Sequence, residues 1–407
     1  MGRCSTVICL GHLPFMKRLL STVLLASICA HAAPLPEAAP ESQGLAGERV
    51  RRLDDHFAAS VARGEYLGAV VLVMRNGRIV DFRAWGHRDL GRQSPLARDA
   101  IFRIDTLTRA VTAAAVLTLL EEGRLDLDDP VARYLPEFAG AAPRLTIRQL
   151  LAQTAGFAPP ARLAAAQVMD APDLAEFTRR LATVPLAFEP GTRFADDGIC
   201  AAVAGRVAEV VSGLRFDAFL HKRLFLPLGM RDTAFVVPPA QRHRIVDVAT
   251  TDEHGKLAPP VETDAAPGQR RHPYLSGADG LYSTAEDFAR FAQMLLNGGA
   301  LDGVRVLGRK SIELMMQNHL SLLPDPTWDG RHAEGYGLGG AVLLDVARRA
   351  RLGSAGTFGW AGGLSAEFAV DPRERMVLLM MVQHVPSAAA PAAGTDFHNL
   401  VYQALAR

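Results

Sequence analysis

Ile101-Phe102-Arg103-Ile104-Asp105-Thr106-Leu107-Thr108-Arg109 runs without a break into Ala110-Val111-Thr112-Ala113-Ala114-Ala115-Val116-Leu117-Thr118-Leu119-Leu120-Glu121-Glu122-Gly123. The second half predicts a helix from Thr108 to Glu122. Val111, Ala115 and Leu119 recur at the helical period and form an apolar face, and Gly123 is a natural residue just past a helix end. The first half leads into the helix start, with Thr106 and Arg109 three residues apart across it.

The flanking sequence supplies a sheet. Gly68 to Met74 and Arg78 to Trp85 are β-rich runs, and Asn76-Gly77 between them is a strong hairpin signal. Ala366 to Val370 and Met376 to His384 repeat the pattern around Asp371-Pro372-Arg373-Glu374. The sheet therefore draws strands from both ends of the chain. A helix is expected from Ala46 to Arg63. Ser283-Thr284-Ala285-Glu286 reads as a capping box opening a second helix that runs to Asn297 and stops at Gly298-Gly299. The expected class is α/β: an antiparallel sheet flanked by helices, built from 33–102 and 275–407, plus a mostly helical part over 103–274. The Pro-, Asp- and Gly-rich loops Val237 to Pro273 and Leu322 to Arg331 are the natural borders of a pocket.

Composition narrows the function classes. The chain has 407 residues, 49% of them hydrophobic, and a net charge of +1, so neither disorder nor a nucleic-acid-binding field is indicated. Met16-Lys17-Arg18 followed by Leu19 to Ala30 has the charged start and short apolar centre of a secretory signal peptide, with small residues at Ala30-His31-Ala32. Residues 1–32 are thus expected to be a leader, with Met16 as a candidate start, and the product to be periplasmic or secreted. A lipid anchor at Cys29 is the rival reading, disfavoured by the bulk of Ile28. Cys4, Cys9 and Cys29 all fall in the leader, which leaves Cys200 without an intrachain partner. It is read as a buried structural thiol. Beyond the leader no apolar run reaches transmembrane length. His272, His319, His332 and His384 show no mutual spacing typical of a metal site, so no metal is expected.

Taken in order, a set of short stretches resembles the serine β-lactamase-related family, which includes class C β-lactamases, D-alanyl-D-alanine carboxypeptidases and family VIII carboxylesterases. They are Pro40 to Leu45, Gly68 to Val73, Ile101 to Ile104, Glu121 to Pro130, Leu145 to Leu151, Pro190-Gly191-Thr192, Pro227 to Met230, Gly280 to Ala285 and Gly356 to Gly363. The resemblance implies the β-lactamase/penicillin-binding-protein-like fold, no cofactor, and three catalytic motifs. The first is S-x-x-K, in which a neutral Lys beside the Ser can take its proton. Here it reads Thr106-Leu107-Thr108-Arg109. Thr106 keeps a hydroxyl, but a guanidinium holds its proton to a pKa above about 12 and cannot act as a base at neutral pH.

The second motif, Y-x-N or Y-S-x, should follow the Pro-Gly-Thr turn. Pro190 to Gly205 contains no tyrosine, and Asp196 and Asp197 stand where the motif belongs. The reading therefore expects no phenol nearby to take over. It also expects a salt bridge between Arg109 and Asp196 or Asp197, because a buried arginine needs a partner. The family's His-Thr-Ser-Gly is replaced by Gln153-Thr154-Ala155-Gly156. The third motif reads Trp360-Ala361-Gly362, with Gly363 next. The resemblance implies that Trp360 and Gly362 line the pocket and that the backbone N–H groups of Thr106 and Gly363 form an oxyanion hole. Thr108, Thr112 and Ser283 are read as helix-start residues only.

Three functional readings follow. The first is an impaired family member whose cleft binds an acyl, ester or peptidoglycan-derived ligand, with carboxylates favoured if Arg109 is left unneutralised. The second is a small-ester or amide hydrolase that uses Thr106. The third is a structural or partner-binding protein, for which the sequence names no partner.

Overall fold

The computed structural model describes residues 1–2, 33–260, 266–326, 332–387 and 396–406. Residues 3–32 of the expected leader, with Cys4, Cys9 and Cys29, lie outside the described residues, as do 261–265 of the first expected pocket loop and 327–331 of the second. Ala32–Arg407 forms one compact unit. Among the described residues no helix is long and apolar enough to cross a membrane.

Helix α1 spans Gly47–Ala62. Strands β1 (Gly68–Arg75) and β2 (Arg78–Gly86) form the expected hairpin. Asn76 and Gly77 both adopt positive φ, 53° and 76°, as a two-residue turn matched to strand twist requires. Helix α2 (Thr108–Glu121) and helix α3 (Cys200–Ser212) lie in the middle of the chain, followed by α4 (Ala285–Leu296). Strands β3 (Glu334–Tyr336), β4 (Ala341–Leu343), β5 (Phe358–Ala361), β6 (Glu367–Asp371) and β7 (Met376–Val382) complete the sheet, and α5 (Phe397–Tyr402) follows.

The seven strands are ordered β2-β1-β7-β6-β5-β4-β3, and every pairing is antiparallel. Both faces are covered, so the central strands are apolar throughout rather than alternating. Val71, Val73, Leu378 and Met380 meet α1 and α5 through Leu53, Phe57 and Phe397. The alternate residues Val70, Leu72, Leu379 and Met381 join the larger core, where Phe288 of α4 packs edge-on against Phe368 of β6, their centroids 5.1 Å apart.

Local expectations for two helices are corrected. Helix α2 has no single apolar face: every residue from Thr108 to Leu119 is buried. Its alanines let neighbours approach on all sides, and Thr112 donates to the Gly277 carbonyl at 2.7 Å while Thr108 accepts from Leu281 N–H at 3.3 Å. Those two threonines therefore tie the 277–281 segment to the helix; neither caps it. The start of α4 falls one residue later than expected, with Thr284 as the cap accepting from Asp287 N–H and Ser283 bonded to Thr233 instead. Within the mostly helical middle part, Ala249–Thr251 and Leu257–Ala258 build a small sheet with His384–Val385.

Candidate active site

The site forms where the start of α2 meets the end of β5. Asp105 adopts φ 46° and opens the short 3-10 turn Asp105–Leu107 that runs into α2. Asp tolerates this left-handed conformation better than most residues, though not without cost. Thr106 stands half-exposed on the turn, and its Oγ1 accepts a hydrogen bond from Trp360 Nε1 at 2.9 Å. The strand comes this close because position 362 is glycine: a Cβ there would lie 3.2 Å from Thr106 Oγ1.

One turn on, the Arg109 side chain is only 2% exposed, and its Nη1 lies 2.5 Å from Asp196 Oδ1. Asp196 reaches inward from a largely exposed loop position, with 45% of its side chain accessible. Its loop is held by backbone bonds to the Gln153-Thr154 turn: Ala195 N–H donates to Gln153 O at 2.9 Å and Gly191 N–H to Thr154 O at 2.8 Å. The Arg109 Cζ also sits 5.6 Å from the Trp360 ring centroid. Burial works against the cation, but Tyr336 and Asp196 outweigh it and push the guanidinium pKa further up.

Tyr336, on β3, is one residue that sequence reasoning missed. Its ring packs edge-on to Trp360 at 5.4 Å and lies 5.0 Å from Phe194. Its hydroxyl interacts with the guanidinium, so the expectation of no phenol nearby is overturned. Burial raises the Tyr336 pKa, Arg109 only partly offsets this, and the phenol keeps its proton at neutral pH. The available signal was Gly335-Tyr336-Gly337. Both glycines are required by close packing, since a Cβ would lie 2.2 Å from Asn318 Oδ1 or 2.4 Å from Met315 O.

Asp197 has another task. Its carboxylate accepts from Ile199 N–H at 2.8 Å and Cys200 N–H at 3.2 Å, fixing the start of α3, and Cys200 Sγ lies 3.4 Å from it. Of the two acids, Asp196 thus forms the ion pair with Arg109. Burial pushes the Cys200 thiol well up, which keeps it an inert thiol.

The expected oxyanion pair is altered. Gly363 N–H donates to Asp105 Oδ2 at 2.7 Å, so this donor is already engaged by the chain's own carboxylate. The other oxygen, Asp105 Oδ1, receives Arg271 Nη1 at 2.6 Å. Arg271 also lies 3.1 Å from Asp279, which His272 and Ser276 contact as well. Burial alone would raise the Asp279 pKa, but these partners hold it at about 2. A cleft of about 910 Å³ opens beside this network, lined by Asp105, Gly363 and Arg271 and, from the Val237–Pro273 loop, by Val246, Asp247 and Pro260. No group of three or more His, Cys, Asp or Glu side chains able to hold a metal occurs among the described residues.

Residues 53–403 match the Beta-lactamase family model. The chain belongs to the β-lactamase family. Among curated relatives, Protein Rv1367c of Mycobacterium tuberculosis is 32% identical over 371 residues, covering 82% of this chain and 89% of the relative. Esterase EstB of Burkholderia gladioli is 30% identical over 370 residues, covering 81% and 89%. Among solved structures, EstCE1, described as a hydrolase with promiscuous acyltransferase activity, superposes with a TM-score of 0.74 at 25% identity, covering 89% of this chain and 98% of that one. The β-lactamase-family fold is thus kept in full, with Thr106, Arg109, Asp196, Tyr336, Trp360 and Gly362 gathered at one place in it.

Proposed function

We propose that this chain is an exported β-lactamase-family protein that lacks the family's ordinary ester and amide hydrolysis and keeps its cleft for small acyl, ester or peptidoglycan-derived ligands. One observation carries the reading: a buried guanidinium, paired with Asp196 at 2.5 Å, stands one turn after the Thr106 hydroxyl. Nucleophilic attack by a hydroxyl needs an acceptor for its proton. Arg109 is held charged, Tyr336 is held protonated, and Thr106 Oγ1 already accepts the Trp360 indole N–H. None of the three takes a proton from Thr106. Neutralisation by Asp196 also removes the ground for a preference for carboxylate ligands at Arg109. Export is supported by the charged and apolar leader that ends at Ala32.

A second reading, a slow hydrolase using Thr106, is favoured by the half-exposed Thr106 hydroxyl and by the esterase named among the relatives. The test is an assay of the mature chain with a chromogenic cephalosporin and short-chain nitrophenyl esters, beside Thr106→Ala, with time-resolved mass spectrometry of each. The expected result is no acyl adduct and the same background in both proteins. An adduct on Thr106 that forms quickly at neutral pH and vanishes in the alanine variant would establish the hydrolase reading instead.

A further inference from the structure

The Asp105 carboxylate is held in a seat built for an anion. Gly363 N–H and Arg271 Nη1 converge on its two oxygens at 2.7 and 2.6 Å, and the carboxylate itself is buried. The seat depends on two backbone features. Asp105 holds φ 46°, and glycine at position 363 leaves room for the carboxylate, since a Cβ there would crowd Asp105 Oδ2 at 3.0 Å. One flank of the seat opens on the cleft of about 910 Å³, so a small solute has access to it once the carboxylate is gone.

We propose that Asp105 is an internal occupant of the acyl-oxygen end of the cleft: it fills the anion seat made by Gly363 N–H and Arg271, and thereby excludes an external acyl oxygen or carboxylate. The inference deepens the proposed function and rests on it for the identity of the cleft, while the seat itself stands on the contacts above. A backbone N–H already bonded to a full negative charge is a poor donor to a neutral carbonyl, since charge-assisted bonds are the stronger kind. The site is therefore closed at its electrophile end as well as at its base. Removing the Asp105 side chain takes the acceptor from Gly363 N–H and leaves Arg271 with Asp279, 3.1 Å away, so a free carboxylate such as formate or acetate takes the vacated place beside both donors.

The experiment uses the whole mature chain and Asp105→Gly, a substitution suited to the positive φ. Formate, titrated at constant ionic strength against chloride, is expected to shift the Gly363 amide resonance saturably in Asp105→Gly and leave it unmoved in the wild type. Adding Arg271→Gln to Asp105→Gly should weaken that binding by about tenfold, the loss of one charge-assisted bond. No formate response in a folded Asp105→Gly overturns the proposal. Should that variant fail to fold, amide hydrogen exchange in the wild type decides. Slow exchange at Gly363 upholds the internal bond, and exchange at the rate of an unstructured amide refutes it. Turnover separates the two ideas: acyl-enzyme formation in Asp105→Gly with Arg109 intact would confirm the occupant but sink the loss-of-base reading, whereas formate binding without turnover agrees with both.

Discussion

Replacing Asp196 by alanine leaves Arg109 charged, 2% exposed and without its carboxylate. Removing one partner of a fully buried ion pair costs roughly 3–5 kcal/mol, because the surviving charge is left desolvated. Asp196 is 45% accessible, so water admitted through its vacated position recovers part of that solvation. The expected cost is about 1–3 kcal/mol. The pair is also asymmetric. Arg109→Met removes the buried member and leaves Asp196 at a wet position, so the double variant Arg109→Met/Asp196→Ala should be more stable than Asp196→Ala alone. Urea unfolding followed by tryptophan fluorescence measures all three, and Trp360 lies against the guanidinium and reports on it directly. If Asp196→Ala unfolds within about 0.5 kcal/mol of the wild type, the ion pair does not hold the buried cation and the argument from it fails.

Asp81 provides a pH signature. Burial, helped by Asp54 and opposed by Arg83, pushes its pKa up to about 7, whereas an unfolded Asp titrates near about 3.9. The folded chain therefore binds this proton more tightly than the unfolded one. The stabilisation is complete below the unfolded value and is lost as pH rises through about 7. Between pH ~7.5 and ~5.5 the wild type should gain on the order of 1–2 kcal/mol over Asp81→Asn, and parallel denaturation midpoints for the two would contradict this. The Tyr336 hydroxyl is buried and makes no well-formed hydrogen bond, so Tyr336→Phe should alter stability by less than about 1 kcal/mol; a larger loss on thermal unfolding would show that its contact with Arg109 matters more than assigned. Cys200 is fully buried, with its thiol pushed up by burial. Iodoacetamide at neutral pH should leave it unmodified until the chain unfolds, and rapid labelling of the native protein by intact-mass analysis would disprove the inert-thiol assignment.

What could be read from the sequence follows the range of the interactions involved. The hairpin at Asn76-Gly77 and the end of α2 near Gly123 are set by neighbours a few residues apart, and both stand where expected. The all-round burial of α2 could not be read the same way. Alanine is compatible with either a solvent-facing or a core-facing position, and only the surrounding layers decide. The Arg109–Asp196 pair was legible because a cation at a buried helical position demands an anion, and the neighbouring motif offered one. Tyr336 was not, since it reaches the site from Glu334–Tyr336, a three-residue strand far along the chain whose sequence carries no apolar alternation to mark it. Asp105 was missed for a subtler reason: a left-handed backbone at a residue other than glycine leaves no trace in composition or periodicity.

The Arg109–Asp196 pair also couples the two positions, so that a change at one alone is penalised. A lysine at position 109 alone would face the same aspartate, which would keep its ammonium charged and useless as a proton acceptor. A tyrosine at position 196 alone would strip the guanidinium of its counter-ion. Each single step toward a lysine–tyrosine arrangement is thus penalised, one in chemistry and the other in folding.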